Sequence, residues 1–117
     1  MKNFLDHAAE YKATLLDALS EEVLNNLESA TLALLEAWNH GNSVYICGNG
    51  GSAGNAIHIA NDLIYGVGAC GEKPSRPGIP VEALCSNTAI ITCLANDTGY
   101  ENIFSSQIMT KGKEKDV

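Results

Sequence analysis

The side chains best suited to chemistry in this sequence are His58 and Asp62. Four positions apart, they share one face of a helix, with Asn55 and Tyr65 nearby. An imidazole and a carboxylate at that spacing can bind a metal ion, or can divide acid and base roles in a proton transfer. The same spacing also produces a plain hydrogen bond on a helix surface. A second polar pair, Asn96-Asp97, carries an amide and a carboxylate side by side; with Gly99 close by, these residue types favour a turn.

Upstream of His58, the apolar run Val44-Tyr45-Ile46-Cys47 stops in Gly48-Asn49-Gly50-Gly51-Ser52 and passes directly into a helical pattern. Glycines allow close backbone approach and positive φ, and the first free N–H groups of the following helix attract an anion. Asn49, Gly50, Gly51 and Ser52 are therefore the candidate phosphate-binding residues, Ser52 adding a hydroxyl donor. No lysine follows the glycines, so the pattern of a nucleoside triphosphate loop is not met. Gly48-x-Gly50-x-x-Ala53 satisfies the loose dinucleotide pattern, which expects an acid closing a second strand about 20 residues on. Glu72 is near that distance but sits in the polar stretch Gly71-Glu72-Lys73-Pro74-Ser75. A dinucleotide enzyme would thus rest on the glycine loop alone, and no nucleotide cofactor is expected.

These residues need elements to hold them. Residues 1–40 read as an N-terminal helical segment of two helices. The first runs from about Lys2 to Leu19, with Leu5, Ala8, Ala9, Leu15, Leu16 and Leu19 on a loose apolar face. Ser20 followed by Glu21-Glu22 is an N-cap with acids in the first turn. The second helix spaces Leu24, Leu27, Thr31, Leu34 and Trp38 by three and four and ends at His40-Gly41-Asn42. Its apolar face is expected to pack on a sheet.

Residues 41–117 alternate strand and helix. After the glycine loop, Ser52 to about Tyr65 is expected to be helical, Gly66 to Pro80 an irregular loop, and Pro80 to Cys85 a second strand. Asn87 to Leu94 reads as a short helix followed by a run turning back as a strand that ends at Asn96-Asp97, then a helix from Glu101 to Lys111. The alternation predicts an α/β fold with a doubly wound parallel sheet, whose ligands bind beyond the strand C-termini. It also calls for another buried strand after Lys115-Asp116, so the chain reads as truncated.

Composition narrows the partners. At 117 residues and 45% apolar, the chain is one domain at most, with enough apolar material for a core. A net charge of −7 argues against direct nucleic-acid binding, and no apolar run suggests a membrane span or signal peptide, which places the protein in the cytoplasm. Cys47, Cys85 and Cys93 sit in apolar runs and Cys70 in a loop, with no C-x-x-C pair, so reduced, buried thiols are expected. Arg76-Pro77-Gly78 shapes the entry to the second strand, although Arg76 has the chemistry to reach a phosphate. His7 and His40 read as surface or cap residues, and Lys111 to Asp116 as a solvated connector.

Taken together, Cys47 to Ala53 followed by Ala56-x-His58-x-Ala60-x-x-Leu63 resembles the sugar isomerase (SIS) domain in its phosphoheptose isomerase branch. Arg76-Pro77-Gly78-Ile79-Pro80, Asn96-Asp97-x-Gly99-Tyr100-x-x-x-Phe104-Ser105 and Gly112 to Val117 continue the resemblance in order, covering roughly Gly41 to Val117. The resemblance implies a flavodoxin- or Rossmann-like three-layer SIS domain. It also implies a homotetramer with sites shared between subunits, the first helix serving in subunit contact. A second serine-rich phosphate loop and a further histidine-bearing helix would follow in the family.

The family reaction interconverts sedoheptulose 7-phosphate with an aldose phosphate in heptose precursor synthesis, through an enediol. The resemblance implies a zinc ion, His58 and Asp62 as ligands or proton-transfer groups, the glycine loop on the phosphate, and Asn96-Asp97 on the sugar. This chain has Asn61-Asp62 where the branch usually has two acids, Asn55 where aspartate is common, and Ile57 where Gln or Met stands. A binding module that keeps the phosphosugar site without catalysis, similar to the bacterial SIS proteins that associate with the replication initiator, is the alternative.

Overall fold

The computed structural model describes residues 2–67 and 76–117. Within these the chain divides into two compact units, Met1–Ala33 and Leu34–Val117. The first contains helix α1 (Phe4–Ala18) and the opening turns of α2 (Glu21–His40). Asn3 and Asp6 form a capping box, each side chain accepting the other's backbone N–H at 3.0 Å. Ser20 Oγ accepts the Val23 N–H at 3.4 Å, and Gly41 at φ +71° ends α2.

The second unit is built on strand β1 (Val44–Ile46), which pairs in parallel with β2 (Val81–Ala83), Val44 facing Val81 and Ile46 facing Ala83. Between them run α3 (Gly51–Asn61) and a π-helical turn, Asp62–Gly66. After β2 come α4 (Thr88–Asp97), a 3₁₀ turn Tyr100–Asn102 and α5 (Ser105–Lys111). The fold is therefore α/β with a parallel sheet. Its core joins Ala37 from α2, Val44 from β1 and Ile79 before β2, with Leu34, Trp38 and Leu63 packed on them. Burying Val44 and Ile79 contributes about 1.5–3 kcal/mol each. Helix α3 lies on both strands through the small buried residues Ala56 and Ala60, which let it approach closely.

Several expectations are corrected. Within the second unit the last turns of α2 pack as a core face through Leu34, Ala37 and Trp38, while Leu24 and Leu27, in the first unit, are half exposed. The run after Leu94 does not turn back as a strand. Asn87 caps α4 by accepting the Ala89 and Ile90 N–H groups, and the helix continues through Asn96 and Asp97 before Gly99, at φ +102°, stops it. The residues from Glu101 begin as a 3₁₀ turn, and regular helix starts only at Ser105.

Cys47 and Cys93 are exposed and Cys85 half-buried, since Cys47 lies past the last paired residue of β1 and Cys93 is on the outer face of α4. Cys70 and Glu72 lie outside the described residues. The Lys111–Asp116 segment is not a free connector. Asp116 accepts the Ser43 and Lys113 N–H groups at 2.8 Å each, and Asn42 Nδ2 donates to the Lys115 carbonyl at 2.8 Å. Val117 then bonds Ser43 O and Tyr45 N at 3.0 and 2.7 Å, which is parallel pairing along the edge of β1 away from β2. No helix among the described residues is long and apolar enough to cross a membrane.

Candidate functional site

The glycine loop occupies the C-terminal end of β1, where open parallel sheets bind ligands. Gly48 must be glycine because a β-carbon there would stand 2.5 Å from the Ser52 carbonyl oxygen. Gly50 has φ +55° and ψ −124°, a conformation that side chains disfavour, and it forms the N-cap of α3. The Ser52 and Ala53 N–H groups close a tight turn onto Asn49 O and Gly50 O at 3.0 and 3.1 Å. Among the described residues, the Gly50 and Gly51 amides have no such backbone acceptor, so they remain as donors at the positive end of α3. Asn49, Gly50, Gly51 and Ser52 are all exposed there.

Beside the loop lies a cavity of about 160 Å³, which Gly48, Asn49 and Gly50 share with Cys85, Thr88 and Thr92. The two threonines are one turn apart on α4, and the Cys85 thiol contacts the Ala53 carbonyl at 3.5 Å. The sequence marked Cys85 only as a thiol in an apolar run, and neither threonine at all. Asn87 signals in the sequence only where α4 starts, and which of its side chains face the loop is decided by how α4 packs.

Two turns along α3, His58 Nε2 and Asp62 Oδ2 stand 3.5 Å apart. Both side chains are well exposed, at 77% and 60%, so solvent screens their attraction. Asp62 is also the junction between two ladders. Its N–H reaches His58 O and Ile59 O in the α pattern, while its carbonyl accepts the Val67 N–H in the π pattern. Asn55 on α3 and Tyr65 in the π turn are exposed.

The nitrogen and oxygen donors of His58 and Asp62 suit zinc, and as a pair they fit half of a tetrahedral set. Among the described residues no group of three or more His, Cys, Asp or Glu side chains gathers around a common point. Further donors would have to come from elsewhere.

Asn96 and Asp97 do not lie at a strand end or line the glycine-loop cavity; they form the exposed last turn of α4. Asp97 is occupied by its own neighbours, accepting Asn96 Nδ2 at 2.7 Å and the Cys93 thiol at 3.5 Å. The hydrogen bond to Asp97, and then its negative charge, push the Cys93 thiol above its ordinary pKa. Arg76 is engaged with α2. Its guanidinium stacks 3.3 Å from the Trp38 ring centroid and donates to Asn39 Oδ1 at 2.8 Å.

Similarity to known proteins covers nearly all of this frame. A family model described as "SIS domain" matches residues 7–117. A phosphoheptose isomerase of Aneurinibacillus thermoaerophilus is 34% identical over 117 residues, all of this chain and 56% of that protein. Phosphoheptose isomerase 2 of Campylobacter jejuni is 37% identical over 97 residues, 83% of this chain and 46% of its own. Among solved structures, the phosphoheptose isomerase GmhA of Neisseria gonorrhoeae aligns with a TM-score of 0.75 at 25% identity, over 97% of this chain and 58% of that one. One from Francisella tularensis aligns with the same score at 26% identity, over 98% and 59%. The chain thus spans about half the length of the relatives it matches. With a parallel sheet, a glycine loop at its strand end and a family match over nearly every residue, the chain belongs to the SIS domain family.

Proposed function

We propose that the full-length polypeptide is a phosphoheptose isomerase, interconverting sedoheptulose 7-phosphate and an aldose heptose 7-phosphate. The observation that carries this reading is that α3 holds an anion cradle at its N-terminus and His58 two turns later, where Asp62, the first residue of the π turn, completes a carboxylate–imidazole pair. A substrate whose phosphate sits at one end and whose carbonyl carbons sit at the other matches that layout. The names of the relatives support the same reaction over the binding-module alternative.

In this mechanism the Gly50 and Gly51 amides and the Ser52 hydroxyl hold the phosphate, and Asn49 orients the sugar beside the cavity. The Asp62 carboxylate takes the proton from the carbon next to the carbonyl and returns it to the adjacent carbon after the enediol forms, so the reaction needs no co-reactant. His58, 3.5 Å from Asp62, acts as acid toward the oxygens or as a metal ligand. A zinc ion held by His58 and Asp62 with donors from the rest of the polypeptide would supply carbonyl polarisation. Asn96 and Asp97 are assigned to sugar hydroxyls.

We assign the protein to the cytoplasm and to a homotetramer. The exposed apolar residues Phe4, Leu5, Leu15 and Leu16 of α1 support subunit contact.

The test is conversion of sedoheptulose 7-phosphate by the full-length protein, with and without added zinc, beside an Asp62→Ala variant. Turnover that the substitution abolishes is expected. Saturable binding of the sugar phosphate with no turnover would overturn the isomerase.

A further inference from the structure

The π turn that begins at Asp62 is gripped from outside. Gly78 lies directly on the carbonyls of Leu63 and Ile64, and a β-carbon on it would stand 2.6 Å from Leu63 O and 2.5 Å from the Ile64 carbonyl carbon. The next residue, Ile79, donates its N–H to Leu63 O at 2.9 Å. The carbonyl of Leu63, inside the π turn, thus accepts from a residue far from it in sequence. Leu63 also packs against the core cluster to which Ile79 belongs. The grip is anchored at its other end on α2. Trp38 Nε1 donates to Pro77 O at 2.9 Å, while Arg76 stacks on the same indole and bonds Asn39.

We infer that Arg76-Pro77-Gly78-Ile79 is a positioning clamp that holds the π turn, and through it Asp62, in register for catalysis. The inference rests on the assignment of Asp62 as the catalytic base. Asp62 is the residue at which the α ladder hands over to the π ladder, so a change in that turn rotates or shifts its carboxylate directly. The clamp touches only backbone and core atoms of the turn and none of the candidate phosphate donors. Its loss is therefore expected to alter the chemical step and leave substrate binding nearly intact. Gly78 is the sensitive point, because no side chain fits between the two segments; an alanine must push the turn outward by a sizeable fraction of an ångström or more.

The experiment compares full-length wild-type protein with Gly78→Ala, Arg76→Ala and Asp62→Ala, measuring kcat and KM for sedoheptulose 7-phosphate well below each variant's melting temperature. Backbone hydrogen exchange over residues 62–67 is measured alongside. Gly78→Ala is expected to lower kcat by about tenfold to a hundredfold, the scale of a misplacement near 1 Å, with KM changed less than about twofold and exchange accelerated in that segment. Arg76→Ala, which loosens the far end of the clamp without a clash, is expected to do the same more mildly, about threefold in kcat. It decides the matter if the alanine at Gly78 prevents folding. A kcat within about twofold of wild type in the folded clamp variants, while Asp62→Ala is inactive, overturns the clamp. An Asp62→Ala variant that keeps full activity overturns the assignment of the base instead.

Discussion

Asp62 Oδ2 lies 3.5 Å from His58 Nε2, one helical turn away, with both side chains largely in solvent. Such an exposed pair contributes about 0.2–1 kcal/mol to stability. Burial therefore gives no structural reason for the pair, and its substitution separates function from folding. Asp62→Ala is expected to leave the denaturation midpoint within about that margin while reducing turnover by two orders of magnitude or more, as loss of a general base does. Urea titration and a steady-state assay on the same preparation check this. A large loss of stability would show that the pair is a structural contact.

The glycine loop makes two different demands for glycine. At Gly48 the obstacle is contact, a β-carbon meeting the Ser52 carbonyl at 2.5 Å, while at Gly50 there is open space but a backbone at φ +55°, ψ −124°. Alanine at Gly48 must displace the first turn of α3, and so is expected to weaken inhibition by inorganic phosphate at least tenfold. Alanine at Gly50 carries a conformational strain of about 1–3 kcal/mol, visible as lowered stability, with the loop free to relax outward. If both variants bound phosphate like the wild type, the loop would not be the anion site.

Much of this arrangement was legible in the chain because local signals and tertiary packing agree. Asn3, Ser20 and Gly41 bracket α1 and α2, and an apolar strand breaking into glycines marks the loop and α3. Where the local signal was ambiguous, the reading failed. Cys93-Leu94-Ala95 has the apolar character of a strand, and Asn96-Asp97 that of a turn, but the cap at Asn87 propagates a helix through all five. The grip of Gly78 on Leu63 and Ile64 had no local signature, since it depends on a π turn and a distant loop meeting in space. The pairing of His58 with Asp62 was readable from spacing; the threonines facing the loop were not, because the length and tilt of α4 decide them.

Gln107 is the one buried polar side chain among the described residues, 4% exposed. Its amide nitrogen donates to Leu84 O at 3.0 Å and Ile103 O at 2.8 Å, and its oxygen accepts from Lys111 Nζ at 3.3 Å. The side chain thus ties α5 to the end of β2. Gln107→Met keeps the volume but leaves the Leu84 carbonyl without this donor in a buried place, a loss of about 1–3 kcal/mol. The denaturant midpoint should fall accordingly with an unchanged slope. No shift would mean that water replaces the amide.

Cys93 is exposed yet held in its thiol form by Asp97, which accepts its S–H at 3.5 Å and adds a negative charge beside it. The raised pKa means fewer thiolates at any pH below it, and only the thiolate attacks. Removing the charge lowers that pKa, so Asp97→Asn is expected to speed alkylation of Cys93 by iodoacetamide at pH 8 several-fold. Peptide-resolved mass spectrometry separates Cys93 from Cys47 and Cys85. Because Asp97 is also assigned to the sugar, sedoheptulose 7-phosphate that engages its carboxylate should change the labelling rate of Cys93 in the wild type and not in Asp97→Asn. Equal rates with and without the sugar phosphate in both proteins would remove Asp97 from the binding site, leaving it as a partner of Cys93 and Asn96 on the outer face of α4.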